Sequence, residues 1–227
     1  MTQTWRDLLF MHWPVSPEAL RPFLPTALSP DTYEGQAWIG VVPFLMTGIR
    51  LRWLPPIPGA THFPELNVRT YATIGGKRGV CFLSLDAANP VAVEVARRWF
   101  HLPYVGARIS CRREGDEVTY ASRRHDRRLP RPAELEVRYR STGAAGRTTP
   151  GSLAHWLTER YCLYVPGPAG GILRGEIHHA PWSLEPAAAE ITVNTMAAAA
   201  GVALPDRPPE LHFARALEVH LWSLEPV

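Results

Sequence analysis

The sequence predicts an α+β domain dominated by antiparallel strands, with two or three helices packed on them. Three observations carry this. Several segments alternate polar and apolar residues with a period of two, and they are joined by glycine turns. Helical spacing of apolar residues occurs in only a few places. Strands and helices do not alternate regularly, which argues against a doubly wound sheet. At 227 residues the chain can bury about 70% of its unfolded surface, enough for a single domain over 1–227.

Ser16-Pro17-Glu18 supplies an N-cap, a first-turn proline and an acid, while Pro22 and Pro25 keep that helix short. Residues 36–53 are apolar, β-branched and aromatic, and they stop at Leu54-Pro55-Pro56-Ile57-Pro58-Gly59. This reads as one long bent strand or two broken ones, with Pro43 at the irregularity. The clearest hairpin pairs residues 65–72 with 80–86 across Gly75-Gly76-Lys77-Arg78. A two- or four-residue loop gives the same register, placing Arg69 opposite Ser84 and Asn67 opposite Asp86. Asn89-Pro90 starts a helix reaching His101, with Val91, Val95, Trp99 and Leu102 at helical spacing and Glu94 four residues before Arg98. Strands follow near 106–113, 117–124 and 134–140. Gly151-Ser152 opens a second helix whose face carries Leu153, Trp156, Leu157, Tyr161 and Tyr164. Late strands fall at 172–179 and 211–222.

Composition excludes several functions. Of 24 basic residues, 23 are arginine, so lysine chemistry would have to use Lys77, which sits in a glycine turn. The basic stretch at 123–131 is broken by Asp126 and Pro130 and followed by Glu134 and Glu136, so it reads as a solvated loop, not a nucleic-acid surface. Cys81, Cys111 and Cys162 cannot form a complete disulfide framework, and they read as free thiols of a cytoplasmic protein. No apolar run approaches ~18 residues, and the first residues lack a signal-peptide pattern, so no membrane partner is expected. No His-x-His, His-Glu-x-x-His, Gly-x-Ser-x-Gly or phosphate-binding glycine signature occurs, so neither a metal nor a cofactor is expected.

The hairpin carries the best site. Glu65, Asn67, Arg69 and Tyr71 share one strand face, and the pairing adds Ser84 and Asp86 from a strand that looks buried on both sides. Buried charges must be paired, so the cluster is either a structural network or a polar ligand pocket. Arg174, Glu176 and His178 form a second row, and Glu159-Arg160 a third; a charged ladder and a helix edge are their plainer readings.

The stretches 32–40, 63–71, 82–87, 156–164 and 174–179 together resemble the YqjF-like proteins, a bacterial family of unknown function. The first half is also similar, more faintly, to the acetoacetate decarboxylase-like superfamily. It shows the same order of a helix after Pro17, a strand with Glu65, a glycine hairpin, and Ala96-Arg97-Arg98-Trp99-Phe100-His101-Leu102-Pro103. That resemblance implies a closed, cone-shaped antiparallel β-barrel with an internal pocket and peripheral helices, and an acidic pocket residue at Glu65. The paired lysines of the decarboxylases are absent, since Tyr104 and Val105 follow Pro103, and the arginine before the first helix is replaced near Trp13-Pro14. Schiff-base decarboxylation is therefore not implied.

The expectation is a pocket lined by Glu65, Asn67, Arg69, Asp86 and Tyr104 that binds a small polar or carboxylated molecule, with turnover left open. Arg69 would hold an anion with Asn67 and Ser84 beside it. Glu65 or Asp86 would exchange a proton, and Tyr104 would orient the substrate. Two alternatives stay open: a non-catalytic ligand-binding or sensory module, and a filled barrel serving as a homo-oligomer component through its eight tryptophans.

Overall fold

The first half of the chain is nearly all strand: β1 (Thr2–Val15), β2 (Ser29–Pro30), β3 (Ala37–Arg50), β4 (His62–Ile74) and β5 (Lys77–Ala87), with the short helix α1 (Pro17–Leu20) between β1 and β2. Helix α2 (Pro90–Phe100) then leads to β6 (Tyr104–Glu114), β7 (Glu117–Arg124), β8 (Glu134–Ser141) and β9 (Gly146–Arg147). The remainder comprises α3 (Leu153–Thr158), β10 (Cys162–Pro166), β11 (Ile172–His179), β12 (Ser183–Asn194), α4 (Met196–Ala199) and β13 (Glu210–Pro226). This computed structural model describes residues 1–50, 61–126, 128 and 131–227. The proline-rich stop at 54–59, the end of the expected 36–53 strand, and Arg127, Leu129 and Pro130 lie outside the described residues.

Seven strands close on themselves. β4 pairs with β3, β3 with β1 and β1 with β13; β11, β10 and β5 follow, and β5 returns to β4. A second circuit leaves the ring at β5, runs through β6, β7, β8 and β12, and rejoins it at β13. The described pairings are antiparallel except for two short parallel contacts, β10 with β5 and β5 with β6. The second of these follows from α2, which carries the chain from the end of β5 back to the start of β6.

Local chemistry accounts for the expected elements. Gly75 and Gly76 both have positive φ, 57° and 78°, making the two-residue turn that right-twisted strands require. Asn89 caps α2 by accepting from the Ala92 N–H, and His101 ends it in the left-handed region at φ 51°. Glu94 and Arg98 form the expected ion pair at 2.6 Å. Pro43 lies in β3 where its pairing with β1 lapses between Arg6 and Met11.

The second helix is shorter than its aromatic spacing suggests. It ends at Thr158, and Tyr164 lies in β10, where it pairs with Arg174 and Cys81. Backbone pairing on both sides of β10 outweighs continued helix. Two long strands also lack a readable period. β1 has consecutive buried residues from Leu8 to His12, and β12 contains Ala187, Ala188 and Ala189.

The main core lies between the ring and the second circuit. Leu9, Met11, Val41, Leu66 and Val68 meet Val118, Tyr120, Leu135, Val137 and Tyr139 there. That leaves the opposite face of the ring strands turned inward.

Candidate functional site

β4 is buried on both faces. Leu66 and Val68 enter the core, while Glu65, Asn67 and Arg69 point into a cavity of about 360 Å³ inside the ring. All seven ring strands supply lining residues, among them Trp5, Phe44, Asn67, Phe82, Leu163, Ile177 and Leu221, and α2 closes one side with Val95 and Phe100. Residues 65, 67 and 69 form a polar row whose outer Cα atoms stand ~13 Å apart on an extended strand.

Glu65 is 3% exposed and accepts a 2.8 Å hydrogen bond from the Tyr104 hydroxyl. Burial pushes its carboxyl from 4.5 up to about 8, against the pull of Tyr104 and helped by Asp86, so at neutral pH it is mostly protonated. Burial and the neighbouring Glu65 push the Tyr104 phenol well above 10, which keeps it a donor. Asn67 Oδ1 has no hydrogen-bond partner among the described residues.

Arg69 is the more unusual group. It is 7% exposed, its guanidinium carbon lies 5.3 Å from the Phe10 ring centre and 5.6 Å from that of Tyr71, and Nη2 makes a long 3.5 Å contact to the Leu157 carbonyl. No carboxylate lies within 4 Å of it among the described residues, and Nε has no partner.

Ser84 and Asp86 do not join this row, contrary to the expected register. The two-residue turn starts the hairpin with Ile74 opposite Lys77 and Arg69 opposite Phe82, but a bulge then skips Leu83, so Val68 meets Ser84 and Leu66 meets Asp86. One inserted residue turns both side chains to the other face. There Arg124 donates to both Asp86 oxygens, at 2.7 and 2.8 Å, and to Ser84 Oγ at 3.0 Å. Burial raises the Asp86 carboxyl and the Arg124 hydrogen bonds oppose that shift. Arg124 comes from the stretch expected to be a solvated loop, yet it is buried. The remaining expected site residues, Glu65, Asn67, Arg69 and Tyr104, all line the cavity.

The pattern of residues did not reveal a second group behind Arg69. His12 Nε2 lies 2.7 Å from the Tyr71 hydroxyl, which itself donates to the Leu157 carbonyl at 2.8 Å. Tyr71 therefore accepts from His12, whose imidazole is held neutral by burial and then by Arg69, His212 and Arg160. Arg160 stacks between Tyr71 and Trp156 and pairs with buried Asp31 at 2.5 Å. Of the two arginines flanking Tyr71, Arg160 thus has its carboxylate and Arg69 does not. A lone polar residue within the apolar run Leu8-Leu9-Phe10-Met11-His12-Trp13 was the available clue. Glu176 reaches the cavity rim, where Lys77 and Arg174 each approach it to 2.7 Å. Glu159 serves locally, accepting from the Trp182 N–H.

Comparison with known proteins agrees with this fold. The model of the DUF2071 family, described as an uncharacterized conserved protein, matches residues 2–218. The uncharacterized protein YqjF of Bacillus subtilis is 46% identical over 224 residues, covering 99% of this chain and 91% of that protein. Among solved structures, the enduracididine biosynthesis enzyme MppR complexed with pyruvate matches with a TM-score of 0.68 at 12% identity, over 99% of this chain and 89% of that one. Acetoacetate decarboxylase from Legionella pneumophila matches with a TM-score of 0.65 at 12% identity, over 100% and 86%. At such identities the likeness establishes the fold alone, that of the acetoacetate decarboxylase-like proteins.

Proposed function

The chain belongs to the DUF2071 family, and for it we propose binding of a small carboxylated molecule inside the ring of strands. Arg69 holds the anion and Glu65 donates a proton or a hydrogen bond to a second polar group of the ligand. The observation that carries this reading is the buried Arg69 without a carboxylate partner among the described residues. An unpaired buried charge costs several kcal/mol, and an incoming carboxylate offsets that cost through two charged hydrogen bonds. The neighbours named as a pyruvate complex and a decarboxylase support an acid as ligand on a similar scaffold.

Turnover is restricted to steps that one carboxyl can run, as acid when protonated and as base when ionised, because Asp86 faces Arg124 instead of the cavity. Lys77, exposed and paired with Glu176, is not among the cavity-lining residues, so the reading includes no Schiff base. The same observation favours a second reading, a binding module without catalysis. Three free cysteines support placing either in a reducing cytoplasm.

Calorimetry with a panel of mono- and 2-oxocarboxylates, on wild type and Arg69→Met, tests the binding. Loss of a charged hydrogen-bonding partner, ~1.5–3 kcal/mol, predicts a roughly 10- to 150-fold weaker Kd for the variant. Nuclear magnetic resonance in D₂O then separates the two readings. At pH 9, where Glu65 is ionised, its carboxylate can take a carbon-bound proton, exchange it with solvent and return a deuteron. Deuterium entering a 2-oxocarboxylate with wild type but not Glu65→Gln therefore supports turnover, while binding without exchange supports the module. Absence of carboxylate binding refutes both.

A further inference from the structure

Resting on the carboxylate reading, we infer that the occupant is an amphipathic monocarboxylate, with a hydrocarbon chain or aromatic ring as its body, and not a small hydrophilic acid. The cavity walls are sorted by chemistry. The buried polar side chains that line it are those of the β4 row together with Gln3, and partly buried Tyr104 adjoins them. Phe44 on β3 and Phe82 on β5 flank the row as the ladder partners of Glu65 and Arg69, and Leu163, Ile177, Val95 and Phe100 line other parts of the wall. Glu176, a charged group at the rim, is already paired with Lys77 and Arg174.

Size points the same way. A cavity of about 360 Å³ falls within the range of small-molecule sites, ~300–1,000 Å³, and far exceeds what a two- or three-carbon acid fills. Water left over beside apolar walls would find few hydrogen-bond partners, whereas a hydrocarbon body releases it. Part of the rim is apolar as well. Val91 and Trp222, 54% and 50% exposed, both line the cavity. Isolated exposed apolar residues are ordinary, but two at one opening extend the greasy wall to solvent.

The test is a chain-length series of acetate, butanoate, hexanoate and octanoate on the wild-type protein, with 3-phenylpropanoate for the ring and octanol as the uncharged control. Kd should fall about three- to four-fold per added methylene until the cavity is full. Octanol should bind at least ~10-fold more weakly than octanoate, and Arg69→Met should remove that difference. Val95→Phe, which fills part of the α2 wall, should move the best chain length downward. Acetate or pyruvate binding as tightly as octanoate overturns the amphipathic occupant and leaves the carboxylate reading intact. No binding by any acid, or equal binding of octanol and octanoate to wild type, overturns both. The wild-type series decides the matter even if a variant fails to fold.

Discussion

Replacing Glu65 with glutamine should stabilise the empty protein at neutral pH, an outcome that contact-counting alone would not suggest. Glutamine keeps the shape and can still accept from Tyr104, but it has no proton to lose. In the wild-type protein the carboxyl titrates near 8 when folded and near 4.5 when unfolded. Between those values the native state binds more protons than the unfolded chain, so this carboxyl's contribution to stability is greatest below pH 4.5 and falls as pH rises. By pH 7 the folded state retains a proton that the unfolded chain has released, which costs about 3 kcal/mol at 1.36 kcal/mol per pH unit. Above pH 8 the native carboxyl ionises and the cost levels off at about 5 kcal/mol. Urea unfolding of both proteins at pH 4.5, 7 and 9 measures this directly. The two should coincide at the lowest pH, and the variant's midpoint should exceed wild type by roughly 1 M at pH 7 for a slope of ~3 kcal/mol/M. A variant less stable than wild type at pH 7, or a difference that does not change with pH, would refute the reasoning. Glu65 would then be ionised and compensated, and the polar row would be a structural network.

Asp86→Ala should cost about 3–5 kcal/mol, because it strands the buried Arg124 guanidinium, while the folded fraction binds carboxylates as before; lost binding at unchanged stability would return Asp86 to the site. Gly40→Ala places a Cβ 2.9 Å from His12 Cδ2, so a loss of ~1–3 kcal/mol and disturbance of the His12–Tyr71 hydrogen bond are expected in melting and histidine NMR, and neither changing would sink the proposed packing. Asn89→Ala removes the α2 cap, worth ~1 kcal/mol, and should speed amide exchange in the helix that walls the cavity; unchanged exchange would show that the cap is dispensable.

Alternation was readable wherever one face of a strand meets solvent or a polar layer. In β8, Leu135, Val137 and Tyr139 are buried while Glu136, Arg138 and Arg140 are exposed, as their spacing says. The Gly75-Gly76 turn and the Asn89 cap were equally legible, since a glycine turn and an N-cap are properties of a few adjacent residues. Strands β1 and β12 were not, because burial on both faces and runs of alanine erase the period. Arg124 illustrates the same limit among charges. It belongs to a hydrophilic stretch, and only its partner on β5 explains why it is buried.

By itself, the sequence determined that Glu65, Asn67 and Arg69 share one face of a strand, that Tyr104 follows a proline, and that the chain's only lysine adjoins a glycine turn. Those are consequences of period two and of composition. The structure places that lysine at the start of β5, exposed. Only the tertiary structure decided what lies on the other walls. A single bulge at Leu83 turned Ser84 and Asp86 toward Arg124, and ring closure brought apolar side chains from six other strands around the same cavity as the polar row. The reason is physical. Strand parity is local, but a bulge's position and the closure of a sheet depend on pairings between residues distant in the chain.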